Sequence, residues 1–343
     1  MARSRTSPAA EPLDDDDLLA EILLRLPPQP SSLPRASLVC KRWRSIATDA
    51  AFRRRFRTHH LGVFEEHPRE LKFMPLLDPP DGIPSDRFSL DLSADKFFAW
   101  RVLGCRHGRE FVRDGFTTAN AAVLCAVRDD QDHVHGDCYL GPFMVVLVGT
   151  RRQQHSAFAC VYSSETGTWG DVASTVEPSI STLSILPCTL IGTALYWRLH
   201  RCNHILEFDL DNQTLTLISK PPAVSPLGSQ TWIIRAEDGG LGLFILSYPR
   251  IQMWDRNVDC HGVASWVLRK NGNMSELLGT KTISATIVGY AEDADAVFMS
   301  MYKGSCMHVL TIVQLESMIV KECHGCFSSD IYHPLTNLYT AGN

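Results

Sequence analysis

Three groups of cysteine and histidine have the spacing to bind a metal or run thiol chemistry. Cys323-His324-Gly325-Cys326 is a C-x-x-C pair. A structural zinc site takes four ligands, usually from two such pairs. No second C-x-x-C occurs, and Cys306 and His333 are the only distant donors that suggest themselves. A redox role would need a strand–helix setting, whereas this stretch closes a region that reads as β. His133-x-His135-x-x-Cys138 and His200-x-Cys202-x-His204 supply three donors each, in expected loops. Gly239-Gly240-Leu241-Gly242 lacks the third glycine of a dinucleotide loop and reads as a hairpin turn. GxxxxGK[ST], HExxH and GxSxG are all missing. The expectation is strand-end thiols and loop histidines, with no catalytic residue, no metal and no cofactor.

The elements that must carry any function are set first by composition. The chain has 343 residues, 45% apolar and 21% charged, values typical of a folded globular protein of one large or two ordinary domains. Its 11 cysteines are odd in number and scattered, which argues against a disulfide framework and for reduced thiols. The longest aliphatic run, Phe143 to Val148, is far short of the roughly 20 residues that span a bilayer. Met1 to Ala10 is basic and lacks the apolar stretch of a secretory signal, so a cytoplasmic or nuclear location is expected, with no membrane partner. Residues 1–60 hold 11 Lys/Arg against 7 Asp/Glu, and the remainder 22 against 31. The larger part is acidic, which argues against nucleic acid as a partner. The asymmetry suggests two units with different tasks, bounded at 11–60 and 61–343.

The first unit reads as helical. Leu19, Ile22, Leu23 and Leu26 recur at helical spacing over Asp17 to Leu26, with Leu18 widening the stripe. Asp14 to Asp17 sit where carboxylates cap a helix and favour its dipole, and Pro27-Pro28 stops it. A second helix is expected from Leu33 to Ala47, with Val39, Trp43 and Ile46 in one line. A third begins near Asp49 and carries Phe52 and Phe56. Three short helices bury little on their own and ordinarily lean on a partner.

Leu18-Leu19-Ala20-Glu21-Ile22-Leu23-Leu24-Arg25-Leu26-Pro27, followed by Ser32-Leu33-Pro34-Arg35-Ala36-Ser37-Leu38-Val39-Cys40-Lys41-Arg42-Trp43-Arg44, closely resembles an F-box. Upstream, the usual Leu-Pro pair is inverted to Pro12-Leu13. The resemblance implies docking on a Skp-type adaptor and, through it, on a cullin. Carried onto this sequence, the contacts are Leu18, Leu19, Ile22, Leu23, Leu26, Leu33, Leu38, Val39 and Trp43.

After His60, short alternating or apolar runs recur between Gly, Asp, Asn and Pro clusters. Strands are expected at Phe143–Val148, Ala157–Tyr162, Leu190–Leu199, Ile205–Leu210, Leu215–Ile218 and Trp232–Arg235. Others are expected at Leu243–Ser247, Ser265–Leu268, Ile283–Tyr290, Ala296–Met301 and His308–Val313. Comparable turns near Asn120, Thr166, Asn212, Asn257 and Gly304 recur about every 46 residues, a length that suits a propeller blade. Dividing 283 residues by that period predicts about six blades. Trp169, Trp197, Trp232, Trp254 and Trp266 are expected mostly between blades.

Val161-Tyr162-Ser163-Ser164-Glu165-Thr166-Gly167-Thr168-Trp169, Gly192-Thr193-Ala194-Leu195-Tyr196-Trp197 and Ile205-Leu206-Glu207-Phe208-Asp209-Leu210 resemble the F-box-associated β-propeller-like domains of plant, especially grass, F-box proteins. The fold expectation is therefore α plus all-β, a three-helix F-box followed by a propeller. The resemblance implies a non-catalytic substrate receptor of a Skp–cullin–F-box ubiquitin ligase that recruits an unidentified target protein. Arg106, His107, Arg109, His200 and Arg201 are the candidate target-binding residues, chosen as exposed loop positions. The inverted Pro12-Leu13 leaves open a propeller interaction protein with a non-ligase or vestigial F-box. A propeller enzyme or metal protein is the third reading.

Overall fold

The computed structural model describes residues 15–27, 29, 31–56, 61–67, 70–78, 81–88, 90–91, 100–106, 109–114, 119–127, 141–151, 154–177, 180–222, 228–274, 276, 284–303, 307–323 and 331–335. Two kinds of structure follow each other along the chain. The first is helical: α1 (Asp16–Leu24), α2 (Ser32–Ser37), α3 (Lys41–Thr48) and α4 (Ala50–Arg55). Asp15 caps α1 by accepting from the N–H groups of Asp17 and Leu18, the role expected of the acidic run. Asp49 caps α4 in the same way through the N–H of Phe52. All three expected helical spans are helical, but the second is divided at Leu38-Val39-Cys40. There Cys40 is extended (φ −162°, ψ 172°) and starts α3 anew. Ser37 contributes to the stop, since its hydroxyl donates to the carbonyl of Leu33 rather than facing solvent. Leu19, Leu23, Leu33, Ala36, Ala47, Phe52 and Phe56 form the small core of the unit.

The remainder is a ring of β-sheets. Blade 1 joins β1 (Gly62–His67), β2 (Glu70–Pro75) and β3 (Leu90–Asp91) to β23 (Tyr332–Leu335) from the far end of the chain. Next comes a lone hairpin, β4 (Trp100–Arg106) with β5 (Arg109–Asp114). Blade 2 has β6 (Ala119–Cys125), β7 (Phe143–Arg151), β8 (Ser156–Ser163) and β10 (Ala173–Val176), with the short β9 (Thr168–Trp169) also pairing β8. Blade 3 is β11 (Thr189–Ile191), β12 (Ala194–Arg198), β13 (His204–Asp209) and β14 (Thr214–Ser219). Blade 4 is β15 (Gln230–Arg235), β16 (Leu241–Ser247), β17 (Arg250–Val258) and β18 (Ala264–Asn273). Blade 5 is β19 (Ser284–Ala291), β20 (Ala296–Lys303), β21 (Met307–Gln314) and β22 (Val320–Cys323).

The described residues form five blades, which corrects the expected six. The division by a 46-residue period counted residues 61–118 as full blades. Their described residues supply three strands of one blade and a two-stranded hairpin, whose β4 lies between β23 and β6. Two further expectations are corrected. Leu190 to Leu199 is not one strand but the hairpin β11–β12, turned at Gly192, whose positive φ of 57° suits a residue without Cβ. Asn120 marks no turn: it lies within β6 and uses its amide to donate to the carbonyls of Ser184 and Leu186. Gly304, another expected turn, lies outside the described residues.

The cores lie between blades, and this explains the strand sequences. One apolar cluster joins blades 2 and 3, another blades 3 and 4, a third blades 4 and 5, and a fourth blades 5 and 1. A middle strand therefore packs on both faces. In β16, Phe244 and Leu246 face blade 5, while Leu241, Leu243 and Ile245 face blade 3. That two-sided burial is why Leu241 to Leu246 carries no polar alternation. Polar side chains on inner strands tie neighbouring blades: Thr189 donates to the carbonyl of Ile233, and Gln230 bridges to Ala285 and Ile287. The ring closes where β1 pairs β23, and Gly289 of blade 5 passes so close that a Cβ there would lie 2.7 Å from the Tyr332 carbonyl oxygen.

Candidate functional site

The helical unit has more large apolar side chains than its core accommodates. Leu18 is 50% exposed, Ile22 40%, Leu38 76% and Val39 61%. Leu18 and Ile22 stand one turn apart on α1, about 100° around the helix from the inward pair Leu19 and Leu23. Leu38 and Val39 are exposed because they occupy the break between α2 and α3, outside both helices. Asp16 pairs with Arg42 at 2.6 Å, which sets the first turn of α1 beside the first turn of α3. Glu21 pairs with Arg55 and fixes α1 against α4.

The nine residues expected to meet an adaptor thus fall into three groups. Leu18, Ile22, Leu38 and Val39 face solvent. Leu26 and Trp43 are half-buried against the core of the unit. Leu19, Leu23 and Leu33 are inside that core. The inverted Pro12-Leu13 lies outside the described residues. A single stripe read from sequence therefore contains both the inner seam and the outer face, and helical spacing alone does not separate them.

The propeller presents its turns at two ends of the blades, and their charge differs. In each of blades 2 to 5 the strands alternate in direction, so the first and third turns share one end and the second turn the other. Among the described residues, the first and third turns of blades 2 to 5 carry nine carboxylates and neither Lys nor Arg. These are Glu165, Asp211, Glu237, Asp238, Asp259, Glu292, Asp293, Asp295 and Glu316. Glu237 and Asp238, with Asp255, Asn257 and Val258, line an open cleft of about 530 Å³. Burial raises the Asp255 carboxyl above its usual range, opposed by the Arg269 guanidinium 3.4 Å away.

At the other end the turn β12–β13 presents His200 and Arg201, both exposed, with Arg201 at φ 45°. Beneath them the Arg198 guanidinium stacks 4.2 Å from the ring centroid of Trp232 and donates to the Thr231 carbonyl. Its Nη2 is buried without a hydrogen-bond partner. Burial pushes this guanidinium down to about 9. Lys220, just after β14, donates to the Cys202 carbonyl at 3.0 Å. Its ammonium is held below the usual lysine range, first by burial and then by Arg198, with Cys202 acting in the opposite direction. Arg198 and Lys220 were not singled out from the sequence, where each reads as an ordinary strand-end cation.

The remaining expected positions are dispersed. Arg106 and Arg109 pair through their backbones where β4 and β5 meet, and His107 lies outside the described residues. So do His133, His135, Cys138, Cys306, His324 and Cys326. Cys202 and His204 approach each other, Sγ to Nδ1 3.4 Å, while His200 points to solvent. Gly239 and Gly240 form the β15–β16 turn, as expected. Of the tryptophans, Trp197 and Trp232 are buried between blades and Trp254 and Trp266 are half-buried there, whereas Trp169 is exposed against Tyr162. No described helix is long and apolar enough to cross a membrane.

The chain thus joins a small helical unit that has exposed apolar side chains to a propeller. Residues 15–55 match the F-box domain. Residues 131–335 match the family described as F-box protein AT5G49610-like, beta-propeller, and the chain belongs to that family. No curated protein matches the chain. Two solved structures share remote likeness. A dihydro-heme d1 dehydrogenase NirN in complex with DHE is 11% identical, with 80% of this chain and 55% of that one covered, at a TM-score of 0.33. A putative 6-phosphogluconolactonase from Bacteroides uniformis is 12% identical, with 81% and 73% covered, at a TM-score of 0.34. This chain therefore spans little more than half the length of the first, and at these scores neither likeness informs function.

Proposed function

We propose that the chain is the substrate-receptor subunit of a Skp–cullin–F-box ubiquitin ligase, working in the cytoplasm or nucleus. The carrying observation is the set Leu18, Ile22, Leu38 and Val39, four aliphatic side chains left in water by the unit that matches the F-box. Exposed apolar groups gathered on so small a unit mark a surface meant to be covered. A Skp-type adaptor is the partner that the F-box match implies. In this reading the propeller holds a target protein, and the turn carrying His200 and Arg201 belongs to the surface that meets it. The chain itself makes and breaks no bond. Holding a target lysine near a charged ubiquitin-conjugating enzyme raises the effective concentration of the reactants.

The test is co-purification of the full chain with a Skp-type adaptor and cullin, comparing wild type with Ile22→Asp and Leu38→Asp. Leu38 is 76% and Ile22 40% exposed, and circular dichroism of each variant checks that its fold is kept. Binding by wild type that both variants lose supports the reading. Equal capture of all three proteins refutes it.

A further inference from the structure

Arg198 ends β12 and Lys220 follows β14, so antiparallel pairing brings both to the end of blade 3 that carries His200 and Arg201. The start of β15 arrives at the same place, with Thr231 and Trp232 under the guanidinium. Two cations are therefore drawn out of water in the mouth of the wedge between blades 3 and 4. Among the described residues neither is paired with a carboxylate. Trp232 covers one face of the guanidinium and Thr231 takes Nη1, which leaves the buried Nη2 with nothing to donate to. Lys220 donates to one carbonyl and has two further N–H groups. Buried charges are ordinarily matched by an opposite charge, because an uncompensated one is strongly destabilising. Here Arg198 instead repels Lys220, adding to the effect of burial.

We propose that Arg198 and Lys220 form an anion site in the mouth of the wedge between blades 3 and 4, and that its ligand is a dianionic phosphoryl group. Two positive charges call for two negative ones. A monocarboxylate would neutralise only one cation. A phosphoryl group has three oxygens that can take the free edge of the guanidinium and the ammonium together. Arg201, exposed on the adjoining turn, adds to the positive field at the entrance. The site does not depend on adaptor docking, and its test does not involve the helical unit.

The experiment follows thermal unfolding of the full chain in increasing inorganic phosphate, against acetate at the same ionic strength and neutral pH. A ligand that binds the folded state raises the melting temperature by an amount that grows with the logarithm of its concentration above Kd. Phosphate is expected to protect and acetate not. Lys220→Met and Arg198→Met are each expected to weaken apparent phosphate affinity by roughly tenfold or more, the effect of losing one charge-assisted hydrogen bond. Arg235→Gln, at the opposite end of blade 4, should respond like wild type. If Arg198→Met does not fold, Lys220→Met decides alone. Equal protection by acetate, or an undiminished phosphate response in Lys220→Met, overturns the proposal. A phosphoserine peptide library against its unphosphorylated counterpart then separates the sources. Capture of phosphopeptides lost in Lys220→Met identifies a modified protein as the occupant, and protection by free phosphate without such capture identifies the free ion.

Discussion

Truncating Leu38 to alanine should separate docking from folding. In the free chain Leu38 lies in the break between α2 and α3 with 76% of its surface in water. Complete burial of a leucine side chain is worth about 1.5–3 kcal/mol. An adaptor that covers the exposed three quarters therefore gains about 1–2 kcal/mol from this residue, and Leu38→Ala should weaken the complex roughly five- to thirtyfold. In the free protein the same change removes almost no buried area, so the melting temperature should hardly move. Leu23→Ala is the contrast. Leu23 is fully buried among Leu19, Leu33 and Phe52, and its truncation should cost about 2–5 kcal/mol, enough to unfold a unit of four short helices. The assay pairs adaptor titration by calorimetry with hydrogen exchange over residues 15–55. Native adaptor affinity in Leu38→Ala, with Ile22→Ala equally silent, would refute the assignment of this face.

Three further outcomes follow from the propeller. Asp209 accepts from the N–H groups of Asp211 and Asn212 and from the Asn212 amide, which lowers its carboxyl below the usual range. Its contribution is present above the unfolded-state value of about 3.9 and fades as pH falls through the lower folded-state value. Asp209→Ala should therefore be less stable than wild type at neutral pH, and the two denaturation midpoints should converge in acid. Gly289→Ala would press a methyl group against the Tyr332 carbonyl where the ring closes, and should lower stability by about 1–3 kcal/mol in denaturant melts. A chain ending before Ile331 deprives β1 of its partner β23 and leaves an unpaired edge. It should elute as aggregate, and recovery of a monomer with a wild-type melt would show that the closing strand is dispensable.

The helical unit was legible because its information is local. Asp15 caps the helix it precedes, Phe52 and Phe56 stand four apart, and the two motifs lie in order within residues 18–44. The hairpins β7–β8, β13–β14 and β20–β21 were legible for the same reason, since strand, polar turn and strand follow one another in the chain, whereas the two-residue turn at Gly192-Thr193 hid the hairpin β11–β12. Blade number was not, because one strand of blade 1 comes from residues 332–335, some 270 positions from its partner, and no periodicity encodes that pairing. Nor did spacing separate Leu18 and Ile22 from Leu19 and Leu23, since which side of a short helix faces inward is decided by what α3 and α4 bring against it. Arg198 and Lys220 belong to the same class. Each sits at the end of a strand and reads as solvated in sequence. Lys220 reaches the turn at Cys202, and Arg198 lies against the first residues of β15 from the next blade, contacts that no local pattern encodes. Residue types and their near neighbours thus determined the elements and the family. The meeting of distant segments decided which side chains are left exposed, and which charges are left without a partner.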